Sequence, residues 1–227
     1  MQRSSKLLKK YWLVVVATVA VSAFTALPSL FFFQRMGDDF RGVYPIFNSD
    51  ALYYQARVQE IYDGHPELNH QYFFEHKDTV FSQPVGAEYI VYGLTRLFGI
   101  SAPALQVVLD FLAPAAIFLL TYMLFKKISL HEYTAVLFPL ALYTVVLGGL
   151  FKPMHPQISL PLLLLFFIFW VGLILKPEKK LLNSVAAGLF LGLLFLTYFY
   201  HWSFVIVVAG IYGLILLLNK SFKELRY

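Results

Sequence analysis

Tyr11-Trp12-Leu13-Val14-Val15-Val16-Ala17-Thr18-Val19-Ala20-Val21-Ser22-Ala23-Phe24-Thr25-Ala26-Leu27-Pro28-Ser29-Leu30-Phe31-Phe32-Phe33 runs for 23 residues without a charge. As an α-helix it reaches about 35 Å, enough to cross a bilayer. Arg3, Lys6, Lys9 and Lys10 precede it, as they would a signal peptide. The apolar core of a signal peptide is only about 7–15 residues, so the run reads as an uncleaved anchor helix. Further apolar runs follow at Ala102–Phe125, Tyr133–Phe151, Ile158–Leu175, Leu181–Tyr198 and Trp202–Leu218. The expected fold is all-α: a single polytopic membrane domain, 1–227, with the first span at 11–33, an extracytoplasmic loop at 34–100 and five further spans within 102–218.

Composition agrees with that reading. Hydrophobic residues make up 59% of the 227 and charged residues 14%, against about 25% charged in a soluble domain. With 23 Phe and 15 Tyr, the chain buries too well for intrinsic disorder. The absence of cysteine excludes disulfides, thiolate zinc sites and cysteine nucleophiles. The formal charge of +5 does not point to nucleic acid, because its distribution follows the spans. Arg3, Lys6, Lys9, Lys10, Lys126, Lys127, Lys176, Lys179, Lys180, Lys220, Lys223 and Arg226 fall on one side, twelve of the eighteen basic residues. The positive-inside rule puts that side, and both termini, in the cytoplasm.

Residues 34–100 are unlike the other connections: 67 residues with nine acids and five bases. Asp50 to Asp63 reads as a helix capped by Asn48 or Ser49 and stopped by Gly64. Pro84 to Phe98 reads as a second, with Pro84 in its first turn and Gly99 after its end. Its Ile90, Val91, Leu94 and Leu97 form an apolar stripe suited to the membrane surface.

This topology gathers Asp50, Arg57, Glu75, His76, Lys77, Lys152, His155 and His201 at the outer face. Lys152, His155 and His201 sit in very short connections, where a cation either snorkels to lipid headgroups or holds a phosphate. In Asn48-Ser49-Asp50-Ala51-Leu52-Tyr53-Tyr54-Gln55-Ala56-Arg57, helical spacing aligns Asp50, Tyr54, Arg57 and Ile61 on one face. An acid at a helix start also serves as a cap and complements the macrodipole, so position alone leaves Asp50 with two readings. Phe151-Lys152-Pro153-Met154-His155-Pro156-Gln157 is either a rigid proline hairpin or a basic clamp. Asp110, the lone acid within a span, needs a partner: Arg96, Lys152, or its own proton and a hydrogen bond.

A short basic N-terminus, one span, and a long outer loop opening with an acid before a Tyr-rich helix resemble the C-type (GT-C) membrane glycosyltransferases. The likeness is greatest to the bacterial branch containing protein O-mannosyltransferases and aminoarabinose–lipid A transferases. The matching text is Asp50 with Tyr53 and Tyr54, then Glu60-Ile61-Tyr62-Asp63-Gly64, then Phe74-Glu75-His76-Lys77, Pro84 and Leu97-Phe98-Gly99-Ile100-Ser101. The oligosaccharyltransferase catalytic subunits also place an acid just before a Tyr-Tyr helix. His76 splits the family's Glu-Lys pair, and its paired prolines are missing. Family members run to several hundred residues with more spans, so a fragment, a minimal module or one part of a complex is expected.

The resemblance implies inverting sugar transfer at the outer face of a bacterial or archaeal plasma membrane. The donor would be a polyprenyl-phosphate sugar, and the acceptor a lipid, glycan or protein. It implies Asp50 as general base, with Tyr54, Arg57, Glu75, Lys77, Lys152, His155 and His201 binding substrate. Tyr53, Tyr54, Tyr198 and Trp202 either stack on sugar faces or form the interfacial aromatic belt. No cofactor is expected. Asp38, Asp39, His65, His70, Glu75 and His76 lack the spacing of a strong metal motif, and a single phosphate can be neutralised by basic side chains. The partners are membrane lipids, the donor, the acceptor and a possible subunit supplying missing spans, with no nucleic acid. A non-catalytic subunit binding polyprenyl lipid or a protein is the alternative function. A transporter is disfavoured because the spans hold a single internal charge.

Overall fold

The charge-free run folds within α1, Gln2–Met36. Its inward face is Val14, Ala17, Thr18, Val21, Ser22, Thr25, Ala26 and Ser29, the helical repeat that brings one stripe to one neighbour. Most of these are small, which lets a partner helix approach closely. The hydroxyls are satisfied locally: Thr18, Ser22 and Thr25 donate to the carbonyls of Val14, Thr18 and Val21. Trp12, Val16, Phe24 and Phe31 point outward. Small and polar residues inside with large apolar ones outside is the reverse of a water-soluble bundle, and fits packing in lipid.

The computed structural model describes residues 2–41, 49–68, 75, 79, 81, 83–128, 130–150, 154–175 and 177–219. Among them there are helices and turns and no strand. After α1 come α2 (Ser49–Tyr62), α3 (Gly86–Phe98), α4 (Ala102–Lys127), α5 (Glu132–Leu150), α6 (His155–Leu175), α7 (Lys180–Thr197) and α8 (Phe199–Leu218). Five helices are long and apolar enough to cross a membrane: α1, α4, α6, α7 and α8. The remaining apolar run, the third in chain order, gives α5, which packs on α1 and α4.

Helix α4 is the centre, with α1, α5 and α6 against it, and α6 carries α7 on its far side. One core joins Val14, Val21, Phe118, Tyr122, Val136 and Tyr143 from α1, α4 and α5. Another joins Leu163, Phe166, Ala187, Leu194 and Val205 from α6, α7 and α8. Helices α7 and α8 are separated by Tyr198 alone, whose backbone is extended (φ −154°, ψ 117°). Its N–H donates to Leu194 O and its carbonyl accepts from His201 N, so a single residue makes the corner.

A third, smaller core matters most for function. Val58 of α2, Val91 of α3, Leu105 of α4 and Met154 just before α6 pack together. They seat the two loop helices on the N-terminal ends of α4 and α6. Helix α3 starts at Gly86, two residues later than Pro84 would have it. A Cβ on Gly86 would lie 2.5 Å from the Leu196 carbonyl oxygen, so glycine is what lets α3 abut the end of α7. Gly99 closes α3 in the left-handed region at φ 65°, as a C-terminal glycine does. The buried face of α3 is Ala87, Glu88, Val91 and Thr95. Of the expected stripe, Val91 is in the core, while Ile90 and Leu97 are exposed.

Candidate functional site

Helix α2 begins at Ser49, and Asp50 in its first turn is half-buried. Asn48, the other expected cap, lies outside the described residues. One turn on, the Tyr54 ring meets the His155 imidazole edge-on at 4.3 Å. His155 is stacked on Tyr198 at 4.9 Å, and Tyr198 meets His201 at 4.9 Å. A column of four rings thus runs from α2 across the start of α6 to the α7–α8 corner. Burial raises the Tyr54 phenol pKa, and Tyr198, Asp50 and Glu88 nearby raise it further. The phenol therefore stays protonated as a hydrogen-bond donor.

Beneath the column lies a sealed ion pair. Arg57 and Glu88 are both fully buried, with Arg57 Nε donating to Glu88 Oε1 at 2.6 Å. Arg57 Nη1 donates to the Leu68 carbonyl at 3.1 Å, and the guanidinium lies 5.6 Å from the Tyr53 ring centroid. The His155 Nε2 atom is 3.7 Å from the same Glu88 oxygen. Burial by itself pushes the Glu88 carboxyl up; the His155 imidazole and the Arg57 guanidinium outweigh it and hold the carboxyl below its ordinary range. Arg57, expected to bind phosphate, is instead turned inward, because the α2 face of Asp50, Tyr54, Arg57 and Ile61 is the one that packs. The pairing with Glu88 was missed. Its signal was present: Glu88 stands three and seven residues before Val91 and Thr95, an acid on the side of α3 that packs inward.

Five buried polar groups at this level carry atoms with no hydrogen-bond partner: Arg57 Nη2, Glu88 Oε2, both His155 ring nitrogens, His201 Nδ1 and Gln55 Nε2. Buried polar atoms are seldom left so. Met154, immediately before His155, is buried at φ 68°. That left-handed conformation is uncommon and strained for a side chain without Asn or Asp chemistry. The third core holds it there, and this fixes where α6 begins and where His155 points.

A second polar level lies next along α6 and α4. Ser29 Oγ donates to Asp110 Oδ2 at 2.6 Å, and Gln157 Nε2 donates to Asp110 Oδ1 at 2.7 Å. Gln106 Nε2 donates to Asp110 Oδ1 at 3.2 Å and to Gln157 Oε1 at 2.5 Å, and Met154 N–H donates to Gln157 Oε1 at 3.3 Å. Asp110 is thus served by neutral donors from α1, α4 and α6. Arg96, one of its expected partners, is exposed elsewhere, at the end of α3.

The remaining expectations divide simply. Glu75 is exposed and makes no ion pair with the cluster among the described residues. Lys77, Lys152, His70 and His76 lie outside the described residues. Asp38 and Asp39 form a short 3-10 turn after α1, and His65 is exposed. Among the described residues no three His, Asp or Glu side chains are arranged to hold a metal ion. What the structure brings together is Asp50, Tyr54, His155 and His201 around Tyr198, above Arg57 and Glu88. Comparison of the chain with protein families, characterised proteins and solved structures gives no match.

Proposed function

We propose that this chain is a C-type membrane glycosyltransferase, or the catalytic core of one, moving a sugar from a polyprenyl-phosphate donor to a hydroxyl-bearing acceptor. The observation that carries the reading is the half-buried Asp50 carboxylate beside a column of two phenols and two imidazoles, over buried polar atoms that lack partners. In this reading α5 is a sixth span, both termini are cytoplasmic and the column stands at the outer face. Each inner connection is basic, which supports that orientation. Single cysteines placed after Lys127 and after Lys180, in a chain with none of its own, are then labelled from the cytoplasm; labelling from outside reverses the orientation.

Asp50 accepts the proton of the acceptor hydroxyl. The hydroxyl oxygen bonds to the anomeric carbon as the bond from that carbon to the phosphate oxygen breaks, with inversion, and the phosphate leaves on its lipid. The protonated phenol of Tyr54 donates to the sugar or the departing phosphate, and His155, His201, Lys77 and Lys152 are the remaining donors to it. Arg57 acts through Glu88 rather than on the donor. The Phe- and Leu-rich outer faces of the spans hold the isoprenoid.

The test is Asp50→Asn, assayed with a polyprenyl-phosphate sugar and a hydroxyl acceptor. Asp50 lies in the first turn of α2, where loss of its charge forfeits about 0.3–1 kcal/mol of interaction with the macrodipole, so melting stays within about 1 kcal/mol. Transfer falls by about 10²–10⁴-fold, the loss of a general base. Wild-type transfer by Asp50→Asn would leave Asp50 a helix-end acid alone and remove the reading.

A further inference from the structure

An open cavity among the described residues lies away from Asp50. It lies about nine residues along α2, roughly 14 Å of helix, where the ends of α2 and α3 meet the start of α4. It measures about 600 Å³ and is lined by Gln59, Tyr62, Thr95, Arg96, Ser101 and Pro103, among others. Its polar lining is mostly occupied within the protein. Tyr62 and Thr95 share a hydrogen bond, Gln59 Nε2 donates to Asp63 at 2.9 Å, and the Ser101 hydroxyl accepts from Ala104 N–H at 3.3 Å. Arg96 is the exception: exposed, with no ion pair or hydrogen bond among the described residues.

We infer that this cavity binds the phosphate group of an anionic membrane lipid, with Arg96 as its cation. Position is the first reason. The cavity is closed on one side by the first residues of α4, a helix able to cross a membrane, and the end of such a helix is where lipid phosphates lie. The residues following Arg96 are the second. Leu97 and Phe98 are 74% and 63% exposed, which suits side chains inserted among acyl chains beside a headgroup. Continuity is the third. Ser101, Val108 and Leu112 recur at the i, i+7, i+11 spacing of one helix face, and Val108 and Leu112 are exposed apolar residues. A track for an acyl chain thus leads from the cavity down α4. The guanidinium forms charge-assisted, paired hydrogen bonds to phosphate oxygens, and the Gln59 and Ser101 side chains border the rest of the headgroup. This site is separate from the Asp50 column and does not depend on what that column does.

The experiment uses the full chain in nanodiscs of phosphatidylcholine alone or with phosphatidylglycerol, followed by native mass spectrometry of the released protein. Wild type retains phosphatidylglycerol in preference to phosphatidylcholine. Arg96→Gln lowers that affinity by about 10- to 100-fold, the worth of hydrogen bonds to a charged group, and Arg96→Lys restores part of it. Melting in phosphatidylcholine is unchanged by Arg96→Gln, because the side chain is exposed and has no ion pair or hydrogen bond among the described residues. Leu97→Ser with Phe98→Ser, which keeps the cation, weakens retention as well. Equal phosphatidylglycerol retention by wild type and Arg96→Gln overturns the proposal. Displacement by millimolar inorganic phosphate also overturns it, since the occupant is then a free anion rather than a lipid.

Discussion

Glu88 and Asp110 are both buried carboxylates at the same end of the bundle, yet they are held in different ways. Glu88 faces opposite charge, the Arg57 guanidinium at 2.6 Å and the His155 imidazole at 3.7 Å, and its second oxygen has no partner. Both oxygens of Asp110 accept hydrogen bonds, from the Ser29 hydroxyl and from the Gln106 and Gln157 amides. The first arrangement ties the loop helices α2 and α3 to the bundle, with polar atoms left over. The second ties α1, α4 and α6 to one another with its hydrogen bonds made. Unmet polar capacity collects at the Glu88 level, next to Asp50 and Tyr54, and that is where a ligand is to be sought. The Asp110 level has the character of a polar cross-link, which in lipid joins helices that apolar contact alone would not hold in register.

The difference can be broken by mutation, and Glu88→Ala has the largest expected effect. It leaves the Arg57 guanidinium buried without a counter-charge, which costs about 3–5 kcal/mol. The paired variant Arg57→Met with Glu88→Met removes both charges and is expected to melt close to wild type. Denaturation in detergent, followed by circular dichroism, checks both. A paired variant as unstable as Glu88→Ala would mean that the pair itself stabilises the fold.

Acid gives the next largest effect, and its sign follows from the direction of the Glu88 shift. The folded carboxyl sits below its ordinary value of 4.5, so its stabilisation is fully present above that value. It is lost as pH falls through the lower, folded value. A melting series from neutral to acidic pH should therefore decline at its acid end. Arg57→Met with Glu88→Met should decline less, and an identical decline in the two proteins would assign the effect to other carboxyls.

Asp110→Asn is the smallest of the three. The amide keeps the shape but turns a donor toward the amides of Gln106 or Gln157, so one or two hydrogen bonds are lost, at about 1–3 kcal/mol. Transfer activity, where Asp50 supports it, should follow stability alone in this variant. A loss of activity without a loss of stability would move Asp110 from cross-link to participant and erase the distinction between the levels.

Much of the fold was legible because lipid leaves few choices. A charge-free run long enough to cross must be helical, since its backbone can find partners only within itself. The ends of α2 fell within a residue of expectation because acid, tyrosine-rich and glycine signals are local. Gly99 closed α3 for the same reason. The start of α3 is at Gly86 rather than Pro84, and what makes glycine necessary there is a neighbour 110 residues away, the Leu196 carbonyl. The candidate site was legible only in part. Asp50, Tyr54, His155 and His201 were named and come together around Tyr198. Arg57 was named as a ligand group and is instead buried, because a helix face that aligns an acid, a phenol and a guanidinium reads the same whether it looks into a cavity or into a core.

By itself the sequence determined the helices, the apolar lengths that suit a membrane and the uneven charge from which an orientation is proposed. These follow from the period of hydrophobic residues and from the chemistry of a bilayer, both of which act within one segment at a time. The tertiary structure decided which polar residues meet. Arg57 and Glu88 are 31 positions apart, Ser29 and Asp110 are 81, and Gln106 and Gln157 are 51. Each pair forms because small residues on α1, a glycine at the start of α3 and the turned backbone of Met154 allow helices to close to hydrogen-bonding distance. Burial then forces the charges and amides trapped between them to satisfy one another. A local pattern can mark a residue such as Glu88 as facing inward, but nothing local names its partner, which is fixed only once the helices are packed.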